Sequence, residues 1–178
     1  TDAIPPFGTD CPIAKEPTGP AAATKSPRVL VIGPTQDANS IATYLTGMMQ
    51  NDPELSSPVA TPAGNDARSL LSFFYDPPGR DARLAPLEKG WTHVVLVETA
   101  LFAAGAPEIF FEGVRALGCR ARVNGATPIV LMPWAALNVE ANATTLGDVA
   151  YRVGNGTHTA VVPAGFAKDR AAGIPTPA

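Results

Sequence analysis

Arg28-Val29-Leu30-Val31-Ile32-Gly33 is an apolar, β-branched run that stops at a glycine, and its reading decides the rest of the chain. A run of this length without polar alternation has no solvent face, which predicts a strand buried on both sides. After it, Ile41, Tyr44, Leu45, Met48 and Met49 recur at helical spacing, predicting a helix with all of them on its inner face. Asp37 or Asn39 is available to cap that helix, and Pro53 lies beyond its end. Strand, turn and helix therefore open the domain.

The pattern recurs downstream. Trp91-Thr92-His93-Val94-Val95-Leu96-Val97-Glu98 holds a second apolar strand, placed at 94–98, and further strands are expected at 127–132 and 159–162. Between them, 107–122 reads as a helix whose inner face is Phe110, Val114, Leu117 and Ala121. Pro107 suits its first position, Glu108 and Glu112 its positive end, Arg115, Arg120 and Arg122 its negative end, and Asn124-Gly125 a left-handed stop. Residues 146–153 form another helix, 54–66 hold a short strand around Val59, and 68–75 make a helical turn or two. Apolar strands alternating with helices imply an α/β fold with a mainly parallel sheet covered on both faces.

The 178 residues, 46% hydrophobic and 16% charged, suffice for one core and one domain, expected at 28–178. Residues 1–27 carry six prolines and little periodicity, and read as a Pro-rich N-terminal arm. The arm starts at Thr1, which fits either a processed mature protein or a trimmed chain. A net charge of −3 without any Lys/Arg run excludes a nucleic-acid partner, since phosphate binding needs a positive stripe. No apolar run approaches the ~20 residues of a transmembrane helix. The two cysteines, Cys11 and Cys119, match no close-spaced zinc or redox motif. They read either as a disulfide pinning the arm to the body or as two unrelated small hydrophobes.

In a parallel sheet, ligands bind outside the carboxyl ends of the strands. The residues there are Gly33-Pro34-Thr35-Gln36-Asp37, Glu98-Thr99, Pro133-Trp134 and Pro163-Ala164-Gly165. None forms a Gly-rich phosphate fingerprint, so no nucleotide or other cofactor is expected. Neither histidine has ligand-type neighbours at metal-site spacing, so no metal is expected either. His93 lies inside an apolar strand and reads as structural, and His158 as a loop residue on the amino-terminal edge of the sheet. Trp134 is a candidate pocket residue, whereas Trp91 reads as packing. Asn142-Ala143-Thr144 and Asn155-Gly156-Thr157 match the N-glycosylation pattern without implying its use.

Taken in order, Val29–Thr35, Trp91–Glu98, Gly125–Ala135 and Val161–Gly165 resemble the successive blocks of the SGNH (GDSL-like) hydrolase superfamily. The resemblance is to the bacterial branch whose first strand ends in Gly-Asn-Ser and whose later strand ends in Thr-Trp-Ala. It implies a flavodoxin-like three-layer α/β/α sandwich. It also implies acyl transfer by a serine after the first strand, a histidine from a late Asp-x-x-His motif and an oxyanion pocket of backbone N–H groups. Carried over residue by residue, Thr35 takes the nucleophile position, Pro34 that of the preceding Asn, and Gly64 that of the oxyanion glycine. Gly33, Glu98, Thr99 and Trp134 complete the expected pocket. Thr35 carries a methyl group that a serine lacks, and Pro34 removes a backbone donor. The sequence reaches Ala178 before any Asp-x-x-His.

The expected function is that of a catalytically inactive, degenerate or C-terminally truncated member. It would bind a small acyl or carbohydrate ligand and attach to another protein chain through its arm, as an accessory subunit in an extracytoplasmic, bacterial setting. The alternative is an esterase or carbohydrate deacetylase whose Asp-x-x-His segment is missing from this sequence.

Overall fold

The computed structural model describes residues 26–64, 69–75, 84–88, 90–134 and 142–171. Five strands form one sheet in the order β2-β1-β3-β4-β5. They are β1 (Arg28–Gly33), β2 (Val59–Gly64), β3 (His93–Val97), β4 (Thr127–Leu131) and β5 (Ala160–Val162), and every neighbouring pair is parallel. The expected strands fall within a residue of these bounds. Apart from Ser26 and Pro27, the expected arm lies outside the described residues.

Helix α1 (Thr35–Gln50) returns the chain from β1 to β2. The chain then crosses back past β1, through α2 (Leu70–Tyr75) and a short 3₁₀ turn at Ala85–Glu88, to reach β3. Helices α3 (Ala100–Gly105) and α4 (Pro107–Val123) precede β4, α5 (Ala143–Thr157) precedes β5, and α6 (Ala164–Ala171) follows it. Because crossovers are right-handed, reversing direction at β1 sends α1 to one face and the later helices to the other. The result is a three-layer α/β/α sandwich of the flavodoxin-like type.

The larger core lies beneath the later helices, where Leu30, Ile32, Val94, Leu96 and Val130 meet Phe73, Phe110, Val114, Leu117 and Leu146. The smaller joins Val29, Val31, Val95 and Val97 to Ala38 and Ala42 of α1. Both faces carry helices, as expected, but the coverage is unequal. Among the described residues α1 is the helix on the second face; it lies over β1 and β2 and leaves Ile129 and Leu131 partly exposed, with Val162 44% exposed.

Two expectations for α1 are corrected. Tyr44 and Met48 are 75% and 70% exposed rather than inward-facing, because the helix seats a narrow stripe of Ala38 and Ala42 flanked by Ile41, Leu45 and Met49. Small alanines let the helix axis approach the sheet, which rotates Tyr44 and Met48 outward. Nor does Asp37 or Asn39 cap the helix: Pro34 occupies the N-cap without a side-chain bond, and Asp37 lies in the first turn. There its carboxylate still faces the favourable end of the helix dipole.

Helix α5 extends beyond the expected 146–153 at both ends. Asn142 caps it, its Oδ1 accepting from the Thr145 backbone N–H at 2.9 Å, and His158 ends it at φ 52°. Among the described residues, no helix is long and apolar enough to cross a membrane.

Candidate functional site

A doubly wound sheet has one place where the helices leaving two adjacent strands part to opposite faces, and the crevice at that carboxyl edge is where ligands bind. Here it lies between β1 and β3, whose ends carry Gly33-Pro34-Thr35 and Glu98-Thr99. Gly33 allows the two strand ends to meet: a Cβ there would lie 2.8 Å from both Cβ and carbonyl oxygen of Val97. Gly64, its partner on β2, lies directly under Thr35, and a Cβ at that position would stand 2.7 Å from Thr35 Oγ1.

Thr35 is the first residue of α1 and half-buried, so its hydroxyl stands at the end of a helix whose first backbone N–H groups lack intrahelical partners. A hydroxyl, a glycine backbone and a helix start together suit a carbonyl or carboxylate oxygen. Asp37, in the same first turn, has its carboxyl held above the ordinary range by burial.

Glu98 is 2% exposed. Its Oε1 accepts from the backbone N–H of Thr99 at 2.8 Å and its Oε2 from that of Leu70 at 2.9 Å. Burial raises the carboxyl to about 7 against the opposing pull of these two bonds. Both oxygens are therefore engaged in joining the end of β3 to the start of α2. Ser69 completes this joint as the α2 cap, its Oγ accepting from the Ser72 N–H at 3.2 Å. Thr99 caps α3, its Oγ1 accepting from the Phe102 N–H at 3.2 Å. Trp134, beyond the end of β4, is half-buried.

The histidines lie across the sheet from this crevice. His93 opens β3 at the amino-terminal edge, with Nδ1 3.0 Å from Thr92 Oγ1, and burial lowers its pKa. His158 is exposed in the turn before β5, also at the amino-terminal edge. Among the described residues, no three His, Cys, Asp or Glu side chains are grouped to hold a metal ion.

Cys119 is buried on α4 and disulfide-bonded; Cys11, the chain's other cysteine, lies outside the described residues. Both glycosylation-type motifs fall on α5 and its cap, where Asn142 caps the helix and Thr157 is fully buried, its hydroxyl donating to the Val153 carbonyl at 2.8 Å.

Sequence reasoning located Gly33, Thr35 and Glu98 at one edge but missed their connections. One of the two partners of Glu98 is a backbone N–H twenty-eight positions away, for which a side-chain sequence carries no signal. Arg122 was assigned only to the negative end of its helix. Its Nη2 reaches further, to the carbonyls of Thr157 and His158 at 3.0 and 2.8 Å and to Thr159 Oγ1 at 2.9 Å, tying α4 to the end of α5.

No protein-family model and no curated protein sequence matches the chain. Solved structures do. A candidate SGNH hydrolase from Slackia heliotrinireducens superposes with a TM-score of 0.62 at 15% identity, over 76% of this chain and 78% of the other. TesA superposes at 0.56 and 17% identity, over 76% and 77%. The psychrotrophic esterase EstA from Pseudoalteromonas sp. gives 0.53 at 13% identity, over 76% and 75%. With the parallel β2-β1-β3-β4-β5 sheet and the crevice between β1 and β3, these likenesses establish that the chain has the SGNH/GDSL-hydrolase-like fold.

Proposed function

We propose that this domain binds a small acyl or carbohydrate ligand at the carboxyl edge of its sheet and does not hydrolyse esters through Thr35. One observation carries the reading: Thr35 stands over Gly64 at the start of α1, while His93 and His158 both lie at the opposite edge. Removal of a hydroxyl proton by a positioned base contributes about 10²- to 10⁴-fold to such reactions. Thr35 remains a neutral alcohol without that base, yet its hydroxyl and the helix start can still hold a carbonyl or carboxylate oxygen.

The domain serves, in this proposal, as an accessory subunit of a larger extracytoplasmic assembly. The bonded state of Cys119 supports an oxidising compartment. The arm, with Ile4, Phe7 and Ile13 among its prolines, supplies the attachment to another chain. Deleting residues 1–10 is expected to weaken that association and leave the melting temperature nearly unchanged; unaltered association would remove the arm from the proposal.

A second reading, an esterase or carbohydrate deacetylase completed by an Asp-x-x-His segment not in this sequence, draws support from the hydroxyl at the nucleophile position. Hydrolysis of an activated acetyl ester by the purified chain separates the two. The expected result is no turnover above a Thr35→Ala control. Turnover that disappears in that control would overturn the binding-only reading.

A further inference from the structure

Glu98 is a fully enclosed carboxyl group whose two oxygens take backbone N–H groups from different elements, Thr99 at the end of β3 and Leu70 at the first residue of α2. Packing of Leu70 and Phe73 into the core and against Gly113 of α4 seats this six-residue helix, Ser69 adds a local cap, and Glu98 ties the first backbone N–H of the helix to the end of β3. We infer that Glu98 is a latch, a positioning residue whose two oxygens tie the first turn of α2 to the end of β3 and so help set the shape of the carboxyl-edge crevice. The inference rests on that crevice being the working edge of the domain, but the latch itself acts whatever the ligand.

The physics of the latch follows from its enclosure. An ionised carboxylate offers both N–H groups strong acceptors but must be kept from water, and enclosure of the charge is the larger effect. With the latch closed the carboxyl titrates at about 7, against 4.5 when it is open to solvent. The closed state thus retains its proton where the open state has lost it, so opening becomes easier as pH rises from 4.5 toward 7.

Among the described residues, little surrounding charge competes with this effect. Helix α3 carries no titratable side chain, and α2 carries only Tyr75, at its far end. On α4, which packs against α2, Glu112 pairs with Arg115 at 2.8 Å, while Asp37 is the acidic residue in the first turn of α1.

Amide hydrogen exchange tests the latch in the whole chain, with rates at Leu70 and Thr99 corrected for their intrinsic pH dependence. The opening equilibrium at Leu70 should rise by about two orders of magnitude between pH 4.5 and 7, a tenfold change for each unit by which the pKa differs between closed and open states, and then level off. In Glu98→Gln the same plot should be flat. An equal slope in that variant, or a flat plot in the native chain, would overturn the inference. Should Glu98→Gln not fold, the ¹³C carboxyl titration of Glu98 in the native chain decides: a midpoint near 7 supports the latch, and one near 4.5 refutes it. None of these readouts involves a ligand or an ester, so the latch and the binding proposal stand or fall separately.

Discussion

The two faces of the sheet are built from the same strands and have different fates. On one, Leu30, Ile32, Val94, Leu96 and Val130 are fully buried under α2 to α5. On the other, α1 covers β1 and β2, and a groove of about 330 Å³ runs between it and β5, with His93 and Val95 on its floor and Ile41, Leu45, Ile129 and Leu131 among its walls. Alternate residues of one strand thus enter unequal environments: Val94 is 0% exposed and its neighbour Val95 7%, and the gap widens toward β5. An apolar run reports that neither face of a strand suits water, not that both faces find equal cover.

The comparison can be broken most forcefully at the aromatic centre of the covered face. Phe110→Ala should cost about 3–5 kcal/mol in denaturant unfolding, the range for a buried aromatic that leaves a cavity. Leu131→Ala on the other face should cost below about 2 kcal/mol, since part of its surface is already in water. Equal losses would show that the two faces contribute alike.

The faces should also answer pH in opposite directions. Glu98 follows the covered-face residues Val94 and Leu96, and its carboxyl is raised by burial to about 7 when folded. Its contribution is fully present below 4.5 and is lost as pH rises through 7, a change on the order of 3 kcal/mol. His93, on the groove, has its pKa lowered by burial, so its contribution is present above 6.5 and is lost as pH falls below that value. Stability measured from pH 4.5 to 8 in the native chain and in Glu98→Gln should reveal the first trend and then its removal.

Smaller effects sharpen the same contrast. Asn142→Ala removes the cap of a covered-face helix and should cost about 1 kcal/mol. Tyr44→Ser, on the outer side of α1, should change the melting free energy by no more than about 0.5 kcal/mol.

The strands, their parallel pairing and the polar residues at their carboxyl ends were legible from uninterrupted apolar runs alternating with helices; the strand order that places the crevice between β1 and β3 was not. Nor was the tilt of α1. Ile41, Tyr44, Leu45, Met48 and Met49 form one apolar arc in sequence, and only the closeness allowed by Ala38 and Ala42 selects which part of that arc turns inward. At the site, Thr35 could be placed at the carboxyl edge from the end of β1 and Gly64 only through the family resemblance, and the steric contact between them depends on the β1–β2 register, with Gly33 opposite Gly64. The Glu98 joint was illegible for a different reason: its partners are main-chain atoms, identical for almost every residue type.

The place of β1 in the sheet has a consequence for synthesis. Among the described strands the first made is flanked on both sides by strands made later, pairing with Val59–Gly64 on one side and with His93–Val97 on the other. At about 5–20 residues per second, the interval between completing β1 and completing β3 on a ribosome is roughly 3–13 s. Throughout it, an apolar strand has at least one unpaired edge able to join another nascent chain. Slow or crowded translation is therefore expected to select for aggregates nucleated at Val29–Ile32, and a chaperone that shields this strand should raise the soluble yield more than one that acts on the finished domain.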